Sequence, residues 1–278
     1  STQSRSSAAS DVYKRQEVQW GIIMWKQDKR APVWEFLGWT FLINCISYAI
    51  SILGERTGVL SGASGSNINT VISTLIGGAS PLYATYIVLK RHGDVCGISE
   101  FMRRIFHTSN RKTTIIITAA FSAGLLITAI LAGERTDYPW YIIIPAVPVM
   151  ILGGGYEEIG WRGFLQPALE KRMPYIPAVL MVSAVWFAWH VPLWFISFSN
   201  QSSYDLMPFA LQLTVNAFAL AAIYRVSGST IACVIFHAWG NAIGALYEWK
   251  MFATFPVSRI LIASVSYTHL TLPTIYSV

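Results

Sequence analysis

Two adjacent carboxylates, Glu157 and Glu158, follow the run Gly153-Gly154-Gly155 at the end of a long apolar stretch, and Arg162 comes four residues after the second. That separation puts Glu158 and Arg162 on one helical face, in the order that favours an ion pair. Glu157 is turned about 100° around the same helix and is free to face another partner. A buried carboxylate without a counter-charge is a candidate general base. Trp186 and His190 are also four apart, as are His237 and Asn241, so each pair shares a face. Histidine and asparagine can both donate hydrogen bonds to a developing oxyanion. Taken singly, these motifs also read as a charge cluster at a helix end, a packing histidine and a polar link between helices.

The elements that carry them are membrane helices. Hydrophobic residues make up 54% of the 278-residue chain and charged residues 12%, with a mean hydropathy of +0.47. About a quarter of residues are charged in a soluble domain. Seven apolar runs approach the roughly 20 residues needed to cross hydrocarbon. They lie near 33–53, 68–89, 113–132, 139–165, 177–198, 205–224 and 229–247, and an eighth, truncated span begins near Phe255. The expected fold is therefore all-α, a polytopic transmembrane helical bundle with seven complete spans. No internal repeat is visible, and the Gly/Ser-rich stretch 58–66 reads as a loop.

Cytoplasmic loops are enriched in Lys and Arg. With the N-terminus inside, inner segments carry Lys26, Lys29, Arg30, Lys90, Arg91, Arg103, Arg104, Arg111, Lys112, Lys171, Arg172 and Arg225. Outer loops carry only Arg56, Arg135 and Lys250. The net charge of +6 thus follows topology and not a nucleic-acid patch. In the second inner loop, Ile98, Phe101, Met102, Ile105 and Phe106 share one face of a helix beside Arg103 and Arg104, which suits either the inner leaflet or the bundle. Cys45, Cys96 and Cys233 have no paired spacing, and no disulfide is expected of them.

Ionisable groups inside spans cost at least about 2.5 kcal/mol at a helix centre, so each needs a reason. In the N-in topology Glu157, His190 and His237 all lie some ~12 to 20 Å from the inner surface at 1.5 Å per residue. One shared depth suits a single hydrated site.

Both termini read as foreign to the gene. Residues 6–16, Ser-Ser-Ala-Ala-Ser-Asp-Val-Tyr-Lys-Arg-Gln, resemble a translated sequencing adaptor, and 265–274 resemble the complementary strand of the same adaptor. The expected organisation is adaptor-derived residues 1–16, one membrane domain over 17–264 with a core at about 139–247, and adaptor-derived residues 265–278. Met24 is the candidate native start, preceded by codons suited to a bacterial ribosome site, which places the protein in a bacterial inner membrane. His269 is then no functional candidate.

In the three motifs the chain resembles the CAAX prenyl endopeptidase and bacteriocin-processing (Abi) family of intramembrane proteases. Its pattern is Glu-Glu-x-x-x-Arg, then Phe-x-x-x-His, then His-x-x-x-Asn or Asp. Glu157, Glu158 and Arg162 match the first, Trp186 and His190 the second with tryptophan in place of phenylalanine, and His237 and Asn241 the third. The resemblance covers about residues 156–246. It implies that Glu157 and His190 activate a water, that His237 and Asn241 stabilise the oxyanion, and that Glu158 with Arg162 supports the helix, with no cofactor. A zinc version would take Glu157, His190 and His237 as ligands, without the compact His-Glu-x-x-His signature. Outside enzymes, the same fold serves immunity or binding proteins of this family, and a proton-coupled transporter would use similar groups. The expected partners are a peptide or membrane-protein substrate and the lipid bilayer. Substrate identity and oligomeric state are not written in these residues.

Overall fold

A computed structural model of the chain describes residues 32–248. The adaptor-like ends, Met24, the basic residues Lys26, Lys29 and Arg30, Lys250, His269 and the span expected from Phe255 lie outside the described residues.

The described residues form a helical bundle. Helix α1 spans Val33–Arg56, α2 Gly62–Ile72, α3 Ser80–Arg91, α4 Ile98–Ile105, α5 Arg111–Ala132, α6 the broken stretch Trp140–Glu170, α7 Tyr175–His190, α8 Leu206–Ser227 and α9 Thr230–Ile243. A short antiparallel pair, Glu134–Arg135 with Tyr247–Glu248, is the one strand pairing among them. Five helices are long and apolar enough to cross a membrane, and α2 with α3, bent by 41° around the π-helical turn Ser73–Gly78, makes a sixth.

The expected seventh span is shorter than read from the sequence. Helix α9 has 14 residues, about 21 Å at 1.5 Å per residue, against about 30 Å of hydrocarbon. The apolar run continues past Ile243, but the chain turns there and Tyr247 pairs with Arg135. Hydropathy could not see that turn.

Local signals set the helix phases. The Asn110 side chain accepts from the Thr113 amide to cap α5, and the Ser229 hydroxyl accepts from the Ala232 amide to cap α9. Between α8 and α9, Gly228 takes the left-handed conformation at φ +61°, so that His237 and Asn241 turn back toward α6. The core is aromatic where α1, α6 and α7 meet. Phe36 stacks on Phe164 at 4.7 Å and meets Trp161 edge-on, and Trp161 meets Trp189 edge-on at 5.9 Å. Elsewhere small residues let helices approach, as with the buried Ala217, Ala219, Ala221 and Ala222 of α8. Apolar side chains such as Ile115, Ile127, Leu131 and Ile144 point outward, as a lipid-facing surface requires.

Helix α4 divides its apolar face. Phe101 and Ile105 are buried, Phe101 against Tyr86, whereas Ile98, Met102 and Phe106 are exposed. It therefore packs on the bundle with one half of that face and presents the other outward. Glu100 accepts from the Cys96 amide at 2.8 Å and pairs with Arg104 at 3.3 Å, and these contacts, the amide first, hold its carboxyl below its ordinary pKa range.

Candidate active site

Helix α6 is broken at the two carboxylates. Its regular turns end at Leu152, and Gly154 takes φ +149°, a conformation that side chains with a Cβ rarely adopt. The chain then passes through the 3₁₀ turn Gly155–Glu157 and the π turn Trp161–Leu165. This irregular backbone is buried in protein, as it must be at membrane depth. Both carboxylates are buried, Glu157 at 6% exposure and Glu158 at 0%.

They have different partners. Glu158 Oε2 accepts from Arg162 Nη1 at 2.7 Å, and both side chains are fully enclosed. The expected ion pair is present. Glu158 Oε1 lies 2.7 Å from His237 Nδ1, so this carboxylate also orients the histidine across to α9. Motif spacing did not disclose that second bond, because the two residues are 79 positions apart. Glu157 has no arginine or lysine partner among the described residues. Its Oε2 accepts from Trp186 Nε1 at 2.8 Å. Trp186 also lies under the Arg162 guanidinium at 4.8 Å and meets the rings of His190 and His237 edge-on or tilted. The tryptophan at the expected phenylalanine position is thus a hydrogen-bond donor as well as an aromatic spacer.

The space beside Gly154 brings the remaining atoms together. A Cβ placed on Gly154 would lie 2.6 Å from Asn241 Nδ2, 3.1 Å from His237 Nε2 and 3.5 Å from Glu157 Oε1. Two donors and a carboxylate oxygen therefore face one small volume, and Asn241 stands at its exposed edge, within 3.5 Å of the Gly153 carbonyl. The glycine signal was visible in the sequence as a run of three, but the convergence was not.

His190 is joined to this group indirectly. Its Nδ1 lies 2.8 Å from the Trp186 carbonyl oxygen. A carbonyl only accepts, so Nδ1 carries the hydrogen and the neutral ring presents an unprotonated Nε2. Trp186, Trp189 and Phe209 surround the ring. No direct bond joins His190 to Glu157 among the described contacts; Trp186 connects them.

No three His, Cys, Asp or Glu side chains are grouped as ligands of one metal ion among the described residues. Of the three residues of the zinc alternative, Glu157 Oε1 and His237 Nε2 face the volume at Gly154, Glu158 takes His237 Nδ1, and Trp186 is bonded to both Glu157 and His190.

Residues 138–243 match the family described as Type II CAAX prenyl endopeptidase Rce1-like. Every site residue named above falls inside that stretch. That match covers the stretch that holds the site and less than half of the chain. The chain is also 25% identical over 132 residues to a curated CAAX prenyl protease 2 from Methanococcus maripaludis, a match covering 43% of this chain and 48% of that relative. It thus spans about half the length of the relative. The matched stretch ends at the last residue of α9, after the His237 and Asn241 turns, so it contains both walls of the volume at Gly154.

Gly154→Ala tests that volume directly. The new methyl group meets a strained backbone, costing about 1–3 kcal/mol, and overlaps Asn241 Nδ2. A lowered denaturation midpoint is the expected result, and a variant of wild-type stability would show that the methyl group is accommodated there.

Proposed function

We propose that this chain is an intramembrane endopeptidase of the CAAX protease type, hydrolysing a peptide bond near the cytoplasmic face with its N-terminus inside. The observation that carries the reading is the convergence of Glu157 Oε1, His237 Nε2 and Asn241 Nδ2 beside Gly154. The family match over residues 138–243 supports it, and the named relative is a CAAX prenyl protease. In this reading Glu157 takes the proton of the attacking water, and the unprotonated Nε2 of His190 helps to hold that water from the Trp186 side. The oxygen of the scissile carbonyl enters the volume beside Gly154, where Asn241 Nδ2–H and His237 Nε2–H receive its developing charge. For Nε2 of His237 to donate while Nδ1 faces Glu158, the ring must carry both protons. Glu158 is the charge partner such a ring needs, and Arg162 balances Glu158 in turn.

The reaction needs no metal in this scheme. Strong chelators are expected to leave cleavage by purified protein unchanged, and restoration of a chelator-inhibited activity by zinc alone would return the metal version to first place. The substrate is a peptide held at the membrane, such as a leader or the tail of a membrane protein. Comparing protein termini in membranes from cells expressing the chain or its His190→Ala variant tests the function. New termini should appear with the former alone. Identical termini at equal expression would instead support an immunity or binding protein of the same fold.

A further inference from the structure

One side of α1 is polar although it is fully enclosed. Thr40, Asn44, Ser47, Tyr48 and Ser51 recur at helical spacing, and all are at most 3% exposed. They face Asn69, Ser73 and Ser80 of the bent α2–α3 pair, which are buried as well. Some of their groups are paired. Asn69 Nδ2 donates to the Ser51 carbonyl at 3.2 Å, Ser47 Oγ to the Ile72 carbonyl at 2.9 Å, and Asn44 Nδ2 to the Trp189 carbonyl at 3.4 Å, one residue from His190. Four oxygens along the same seam have no protein partner: Thr40 Oγ1, Asn44 Oδ1, Ser51 Oγ and Asn69 Oδ1. Buried polar atoms are almost always hydrogen-bonded, because an unmade bond leaves the desolvation penalty uncompensated. Lipid tails cannot supply the bond, and water can.

The seam has two ends. One lies at the top of α1, where Glu55 accepts from the Ser197 amide. The other lies at the site. A Cβ on Gly77 would touch both Ser47 Oγ and the Tyr48 ring at 3.0 Å, and one on Gly78 would come within 3.0 Å of the Tyr156 hydroxyl. Tyr156, which donates to the Thr74 carbonyl, immediately precedes Glu157. The π turn Ser73–Gly78 thus carries the polar line from α1 to the break in α6.

We infer that the seam between α1 and the bent α2–α3 pair is a hydrated path that leads water from the Glu55–Ser197 end of the bundle to the Tyr156–Glu157 site. Its hydration stands on the unpartnered oxygens alone, whereas its supply role rests on the hydrolytic reading above. Hydrolysis consumes one water for each bond cut, and Trp186 closes on Glu157, His190 and His237, so a separate inlet lets water enter while substrate fills the side at Asn241.

Radiolytic hydroxyl-radical labelling, in which bound water is the radical source, tests this on the full chain in lipid nanodiscs. Tyr48 and Phe36 are aromatic residues of the same helix, 3% and 0% exposed, and Phe36 lies in the apolar core against Phe164 and Trp161. After correction for intrinsic reactivity, Tyr48 should be oxidised several-fold faster than Phe36. In the double variant Ser51→Ala, Asn69→Leu its labelling should fall to the Phe36 level, and kcat should drop several-fold with KM unchanged. Equal labelling of the two residues in the unaltered chain would overturn the inference. Strong Tyr48 labelling with an unchanged kcat in a folded, dried variant would overturn the supply role, and strong labelling in a chain that cuts nothing would fault the protease reading while leaving the seam wet.

Discussion

Glu157→Gln is expected to abolish peptide cleavage and to leave the protein folded. General-base catalysis contributes about 10²- to 10⁴-fold, so kcat/KM should fall by at least that range. Stability should hold because glutamine has the same shape and its amide oxygen can still accept from Trp186 Nε1, the direct bond that Glu157 makes at 2.8 Å. The carboxylate has no arginine to leave behind, since Arg162 is paired with Glu158. Purified wild-type and variant protein, matched by thermal denaturation and assayed on the same peptide, give the measurement. Cleavage persisting in the variant would remove Glu157 from the role of base.

Glu158→Gln should do the reverse in kind. The change at the neighbouring position strips the counter-charge from Arg162, which is fully enclosed and otherwise reaches only the Ala217 carbonyl at 3.4 Å and the face of Trp186. Leaving one member of a buried pair uncompensated costs about 3–5 kcal/mol, a large part of the stability of an ordinary domain. The same change takes the charged partner from His237 Nδ1. The expected outcome is low yield and a markedly lowered denaturation midpoint. Replacing both Glu158 and Arg162 by apolar residues of similar size should recover much of the stability and none of the activity, because His237 would still lack its orienting carboxylate. If Glu158→Gln folds as stably as the unaltered chain, the enclosed ion pair within α6 is not what stabilises the fold. Two identical chemical changes, one residue apart, thus separate catalysis from scaffold.

Membrane residence, the helical class and the order of the apolar stretches were legible in the sequence because hydropathy and helical period are local properties. The three polar motifs were legible for the same reason, since Glu158 with Arg162, Trp186 with His190 and His237 with Asn241 each lie within one helical turn. What joins the motifs was not. The bond from Glu158 to His237 and the bond from Trp186 to Glu157 each cross between helices, and their partners depend on how α6, α7 and α9 pack. The neutral polar side of α1 carries no charge to mark it, although Thr40, Asn44, Ser47 and Ser51 recur at helical spacing. Neutral side chains cost little singly, and only burial shows that four of the seam's oxygens lack partners. The length of α9 belongs with these. Apolar sequence runs on through Leu246, and the turn after Ile243 is imposed by pairing with Glu134–Arg135. Sequence alone therefore determined which residues are candidates for chemistry and that they sit in helices of a membrane bundle. Tertiary structure decided which atoms meet, because a site built from separate helices exists only once those helices have packed.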